Sequence, residues 1–209
     1  MRKILLYGCL CWLLACQKAP SSSNSLLPLA VGNQWRYQVT YYDSTLAVPL
    51  YQVDTVTLAC TETTVKNSQT YYKVEQVSAN SAPTVYGTGE FYWKDGIAYQ
   101  YISQHPNGQE KQIFLKHNLK VGDAWDYSVP YYSHQHKVIT VDTSLQLLGT
   151  TYGEVALVNY SIAAYTNGGN GGALSQNYYQ YSIGLVQEIK KEYGVPRGHY
   201  AQLIDYTLQ

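Results

Sequence analysis

The sequence is poor in the residues that usually fill a core: two Phe and one Met in 209 residues. It has no surplus of either charge, with 14 basic against 14 acidic side chains. A protein that grips nucleic acid through a basic surface needs excess Lys and Arg to neutralise phosphates, so that class is excluded. Charged residues make up 13% and apolar ones 45%, which excludes an intrinsically disordered chain. No apolar stretch reaches the roughly 20 residues that a membrane-spanning helix needs. Catalytic signatures are missing as well. There is no Gly-x-Ser-x-Gly nucleophile elbow, no Gly-x-x-x-x-Gly-Lys-(Ser/Thr) phosphate loop, no His-Glu-x-x-His and no Cys-x-x-Cys. What the chain has instead is 23 Tyr. A Tyr ring packs on a sheet while its hydroxyl reaches water or a polar partner. Much Tyr and little Phe therefore point to a thin core and amphipathic sheet faces.

The N-terminus reads as an export signal. Arg2 and Lys3 precede an apolar run from Ile4 to Ala15, the length of a signal-peptide core rather than of a membrane span. The run ends in Leu13-Leu14-Ala15-Cys16, which resembles the lipobox of bacterial lipoproteins. That resemblance implies cleavage before Cys16 and diacylglyceryl attachment to its thiol. Residues 1–15 are then signal peptide, and the mature chain has 194 residues with a net charge of −2. Residues 16–26 form the expected flexible tether, rich in Ser. Gln17 stands where an Asp would imply retention in the inner membrane, so the resemblance implies the outer membrane. No acidic cluster of the kind used for surface export follows, which favours the periplasmic side. The expected partner is thus the membrane, through lipid on Cys16. Cys9 and Cys11 leave with the signal, and Cys60 remains as an unpaired thiol, read as a small buried strand residue.

Beyond the tether the period is two. Trp35, Tyr37, Val39 and Tyr41 alternate with Arg36, Gln38, Thr40 and Tyr42. Such alternation predicts a half-buried strand. The pattern recurs over Tyr51–Cys60, Gln69–Ser78, Gly89–Lys94, Ile97–Ser103, Gln109–Leu115, Trp125–Tyr132, Lys137–Leu148, Glu154–Tyr165, Asn177–Ser182, Leu185–Tyr193 and His199–Leu208. Asp95-Gly96 and Asn107-Gly108 are hairpin signals, and the Gly-rich run 167–172 reads as a loop. The expected fold is all-β and antiparallel, with about 11–12 strands. That many strands seldom stay flat. A strongly curved sheet, a half-barrel or two packed sheets would each serve.

The chain also repeats itself. Val31-Gly32-Asn33-Gln34-Trp35-Arg36-Tyr37-Gln38-Val39-Thr40-Tyr41-Tyr42 aligns with Val121-Gly122-Asp123-Ala124-Trp125-Asp126-Tyr127-Ser128-Val129-Pro130-Tyr131-Tyr132, with seven of twelve positions identical. A single domain over 27–208, built of related halves near 27–115 and 117–208, is the reading. In each copy the Gly supplies a turn with positive φ, the Asn or Asp bonds the turn backbone, and the Trp enters the core. Pro28-Leu29 through Tyr37, the later Gly122-Asp123-Ala124-Trp125 and the late Tyr181-Ser182-Ile183-Gly184-Leu185-Val186 together resemble a family of secreted bacterial envelope lipoproteins of unknown function. The Gly-Thr-Phe often found in that family is replaced here by Tyr152-Gly153-Glu154-Val155. The resemblance implies an antiparallel β fold and an envelope location, and no activity.

Candidate chemistry is sparse. His134-Gln135-His136 puts two imidazoles on one face of an extended segment, a geometry that can hold a transition metal. Two ligands are too few, so the pair reads as a solvated strand start and no metal is expected. His105, His117 and His199 read as surface or satisfied residues. Glu75 reads as facing solvent or pairing with a Lys. No catalytic residue and no cofactor is expected. The expected function is a non-enzymatic envelope lipoprotein acting as a binding or structural module. Two alternatives remain: a carrier of a lipid or other apolar ligand, and a glycan-binding protein. A cavity between the halves would favour the carrier, and an exposed aromatic row would favour glycan binding.

Overall fold

β-branched residues and Tyr at alternate positions give the chain two unlike faces, and strand pairing lets one of them be buried. In the computed structural model, residues 25–43, 50–78, 85, 87–101, 111–129, 132–164, 172–194 and 196–209 are described. They form twelve strands and, among the described residues, no helix. The first six are β1 (Gln34–Asp43), β2 (Leu50–Lys66), β3 (Gln69–Gln76), β4 (Gly89–Lys94), β5 (Ile97–Tyr101) and β6 (Lys111–Lys116). The second six are β7 (Ala124–Val129), β8 (Tyr132–Leu147), β9 (Thr150–Ala164), β10 (Gly172–Gln180), β11 (Gly184–Glu192) and β12 (Arg197–Thr207).

All twelve belong to one antiparallel sheet in the order β6-β5-β4-β3-β2-β1-β12-β11-β10-β9-β8-β7. This is an up-and-down meander in which the last strand returns to pair with the first, Gln34 opposite Thr207 through Asp43 opposite Arg197. The sheet is a nearly closed barrel, rather than two packed sheets. Its ladder is interrupted between β6 and β7. There Lys116 reaches across, its Nζ donating to the Ala124 carbonyl at 3.4 Å and lying 5.2 Å from the Trp125 ring.

The barrel is apolar within and polar without. Trp35, Tyr37 and Val39 are buried, while Gln34 and Arg36 on the opposite parity are exposed and Gln38 is half-buried. Trp125 and Val138 are likewise buried beside exposed Asp126 and Lys137. A membrane-spanning barrel has the opposite pattern, an apolar band outside and a polar lumen.

The even-to-odd connections share one end of the barrel. Three are two-residue turns with positive φ at both positions: Asn67 and Ser68 (50° and 62°), Asp95 and Gly96 (52° and 75°), and Leu148 and Gly149 (48° and 86°). That is the type I′ pattern, whose twist matches the flanking strands. The repeated Gly motif lies at this end too. Asn33 N donates to Ala30 O and Asp123 N to Lys120 O, both at 3.0 Å, with Gly32 at φ 97° and Gly122 at φ 90°. Cys60 N donates to Asn33 O and Val138 N to Asp123 O, both at 2.9 Å. The two turns thus share one bonding scheme, and each delivers a buried Trp two residues later, as the sequence predicts.

The chain enters at this same end. Ser25, Leu26 and Leu27 are buried, and Ser182 N donates to Ser25 O at 2.8 Å. Trp93 Nε1 donates to Leu27 O at 2.7 Å, and Trp35 Nε1 to Ile183 O at 2.6 Å. Leu26 and Leu27 join the core that includes Phe91 and Phe114, whose rings lie 4.7 Å apart. The odd-to-even connections leave from the other end.

Several strands differ in extent from the expected ones. β2 runs to Lys66 rather than Cys60, and β9 starts at Thr150 rather than Glu154. Both extensions are hairpin arms beyond the repeated turns, where alternation with exposed Thr is weak. β10 begins at Gly172, within the run read as a loop. Gly172 O accepts from Tyr193 N at 3.0 Å, a backbone bond that glycine composition does not announce. Asn107-Gly108 and positions 167–171 lie outside the described residues.

Candidate functional site

The strand registers carry a set of polar side chains into the half of the barrel built from β7 to β12. β10 alternates strictly, with Ala173, Ser175, Asn177 and Tyr179 buried. Asn177 stands opposite Glu188, and Glu188 opposite Ala201. Ser175 stands opposite Lys190, and Lys190 opposite His199. Residues directly opposite share a face of the sheet, so Glu188, Lys190 and His199 join Ser175 and Asn177 on the inner one.

Glu188 is the centre of this group, at 1% exposure. Its Oε1 lies 3.1 Å from Ser175 Oγ, and its Oε2 lies 3.3 Å from Nε2 of His199, itself 3% exposed. Ser175 Oγ is also 2.8 Å from Asn177 Oδ1. One hydroxyl has a single proton for two acceptors. Rotating the Asn177 amide by half a turn would resolve this, because its NH2 would donate to Ser175 and the serine proton would be free for Glu188. Tyr37 and Tyr179 reach into the same region. Burial first, and then the charge of Glu188, push both phenols well above their usual range. Tyr37 instead donates its hydroxyl to Leu185 O at 2.9 Å.

A second group lies beside the β6–β7 break. His136 stacks on Trp125 with ring centres 5.0 Å apart, and His134 on Tyr127 at 4.1 Å. His134 Nδ1 and the Tyr160 hydroxyl are 2.6 Å apart. Burial lowers the His134 pKa to about 4. Burial, then the neighbouring His134, lowers that of His136 to about 3, against a raising hydrogen bond with the Trp125 backbone. Both imidazoles are therefore neutral at neutral pH. The expected solvated strand start is corrected here: the strand begins at Tyr132, and both rings sit inside the barrel on aromatic neighbours. Their spacing does put them on one face. Among the described residues, no group of three His, Cys, Asp or Glu side chains is placed to hold a metal ion.

The geometry limits the chemistry. A hydrolytic triad needs the imidazole between the hydroxyl and the carboxylate. Here the carboxyl group lies between Ser175 and His199, so the order is not that of a triad and the imidazole does not meet the serine. The cluster is built to hold polar groups in place within an apolar wall. A cavity of about 20 Å³ lies deeper, between the two halves, lined by Tyr37, Leu58, Val74, Phe114, Tyr179 and Leu185 among others. It has room for about one water and none for an acyl chain. Trp35 and Trp125 are buried and are not sugar platforms. Cys60 is buried and unpaired, and burial raises its thiol pKa to about 11, which makes it unreactive. Glu75 pairs with Lys73 at 2.7 Å.

No family model matches the chain, and no curated protein does. Two solved structures resemble it. One is a candidate lipoprotein from Parabacteroides distasonis, 14% identical with a TM-score of 0.53, over 88% of this chain and 99% of that one. The other is a candidate exported protein from Bacteroides fragilis described as having a YmcC-like fold, 10% identical with a TM-score of 0.51, over the same shares. The chain shares their fold. At such identities the likeness reaches the fold and no further, and it spans nearly the whole length of both proteins.

Sequence reading missed Glu188, Ser175 and Asn177. The signal was present in β10, where Ser175 and Asn177 share parity with Ala173 and Tyr179. A small polar pair on an apolar parity marks an inward-facing polar site, provided the strand start is placed at Gly172.

Proposed function

We propose that this chain is a non-enzymatic lipoprotein of the bacterial cell envelope, a binding or structural module held at the outer membrane by lipid on Cys16 and facing the periplasm. The observation that carries the reading is the conjunction of Leu13-Leu14-Ala15-Cys16 with the fold shared by a candidate lipoprotein and a candidate exported protein. In this reading residues 1–15 are removed and the segment after Cys16 tethers the domain. The chain folds from Ser25, two residues before the boundary expected from sequence, as two related halves. The buried group around Glu188 supports a binding role better than a catalytic one, because it offers fixed polar contacts and lacks the hydroxyl–imidazole contact of a hydrolytic triad. The one-water cavity gives the apolar-carrier alternative little support.

The test is the intact mass of the full-length protein expressed in a Gram-negative host and extracted in detergent. The expected mass is that of the chain from Cys16 plus its acyl groups, with Cys16→Ser abolishing the addition. An unmodified chain retaining residues 1–15 would refute the reading. Native mass spectrometry of the domain from Ser21 then asks for a ligand, and a retained small adduct would identify its class.

A further inference from the structure

We propose that the tight-turn end of the barrel is apposed to the membrane, with Val31, Val121 and Leu148 dipping into the boundary between lipid headgroups and acyl chains. The inference rests on the lipid anchor proposed above and adds an orientation that the anchor by itself does not impose.

The first observation is where the chain begins. The fold takes hold of it at Ser25, at this end of the barrel. Eight residues lie between Cys16 and Ser25, so the domain can stand no further than about 30 Å from the lipid even if they are fully extended.

The second observation is what the turns carry. Hairpin tips are ordinarily polar, with Asn, Asp and Gly at positions of positive φ. Two of the three type I′ turns obey this, starting with Asn67 and Asp95. The third starts with Leu148 at φ 48°, a conformation costly to a branched apolar residue, and leaves it 57% exposed. Both repeated turns place a Val just before the Gly, and Val31 is 48% and Val121 64% exposed. Single exposed apolar residues are ordinary. Val31 and Val121 hold equivalent places in the repeat, and Leu148 is strained at a hairpin tip. Val53, Val77 and Tyr193 near the other end are exposed as well, so the entry of the chain at Ser25 and the strain at Leu148 are what select this end.

Charge does not explain them. Lys94 stands beside Asp95, and Lys120 near Asp123, so this end mixes both signs. The expected attraction is apolar insertion of the kind that seats interfacial segments, so zwitterionic lipid suffices. With the base held to the bilayer, the end from which the odd-to-even connections leave faces away from it.

The test uses the full lipidated chain in phosphatidylcholine vesicles. A nitroxide is attached singly at Val31→Cys, Val121→Cys or Leu148→Cys, in a Cys60→Ala background. Val53→Cys on β2, 61% exposed and near the other end, serves as the aqueous control. Collisions with oxygen and with a nickel chelate are compared. The expected result is at least a five-fold shielding from nickel at 31, 121 and 148 relative to 53, with oxygen contact retained. Equal nickel access at all four sites, in protein that floats with the vesicles, would overturn the orientation. It would leave the turns to water or to a protein partner. Protein that neither floats nor carries acyl mass would overturn it too, and would show that the anchor was what failed. As a second measurement, Leu148→Asn should raise thermal stability by relaxing the turn and should lower the shielding at 121. An unchanged label at 121 would count against shared insertion.

Discussion

Glu188 and His199 sit where water cannot serve them, so each depends on what the barrel wall supplies. A buried polar pair is weak evidence of stability, but removing His199 takes away the contact on Oε2 of Glu188 and leaves that of Ser175 on Oε1. His199→Leu is therefore expected to cost about 1–3 kcal/mol. Glu188→Leu with His199→Leu should cost less than the sum of the two single changes, by at least about 1 kcal/mol. Urea unfolding of the four proteins measures this, and simple additivity would mean the contact at 3.3 Å carries no coupling. His134 and His136 make a different statement. Their folded pKa values, about 4 and about 3, lie below the unfolded value near 6.5. The unfolded chain thus binds protons more readily. The stability due to neutral imidazoles is complete above pH 6.5 and declines as pH falls towards 4 and then 3. For fully buried His136 the loss approaches about 4 kcal/mol, with less for half-buried His134. Urea midpoints at pH 7, 5 and 4 should fall steadily in the native protein and less steeply in His136→Phe, which keeps a ring on Trp125. A flat profile in the native protein would refute the burial. The spacing of these histidines was legible in the sequence. Their burial was not, because polarity argues for water until Trp125, Tyr127 and Tyr160 are known to surround them.

At the scale of strands and turns the sequence was most informative where local chemistry decides. Gly32 and Gly122 need positive φ, and the alternating Trp35-to-Tyr41 face needs burial; both follow from the residues themselves. The turns at Asn67-Ser68 and Leu148-Gly149 were less legible, because Leu148 is not a turn residue by any local rule. Close approach was not legible at all. A Cβ at Gly198 would lie 2.0 Å from Lys190 O and 2.8 Å from the Tyr42 hydroxyl, whereas one at Gly122 would meet nothing. The two glycines therefore predict different costs. Gly122→Ala should lose about 1–2 kcal/mol, the strain of a positive φ. Gly198→Ala must part β11 from β12 and should lose more, with reduced strand signal in circular dichroism. Equal losses in thermal melts would show that the β11–β12 contact is slack.

For the molecule as a whole, alternation gave the number and kind of strands but not which of them meet. A repeat of two halves predicts two like seams, yet the structure treats them differently. β1 and β12 pair over the full length of β1, residues 34–43. β6 and β7 have six residues each, and the connection between them, with Leu119 buried, separates their backbones. Side chains hold that seam instead, through Lys116 on the Ala124 carbonyl and over Trp125. Edge strands open locally at small cost, while strands paired on both sides open only with the whole fold. Amide hydrogen exchange should thus be fastest in β6 and β7 and slowest in β1, β11 and β12, with rates differing on the order of 100-fold or more. Lys116→Ala should speed exchange in β7 and leave β1 unchanged, since it removes a contact that only the seam uses. Uniform protection around the barrel would mean that β6 and β7 pair in solution and that the ring is closed. Selective opening would instead make this seam the route by which water, or a small polar ligand, reaches the histidines and Glu188 from the side.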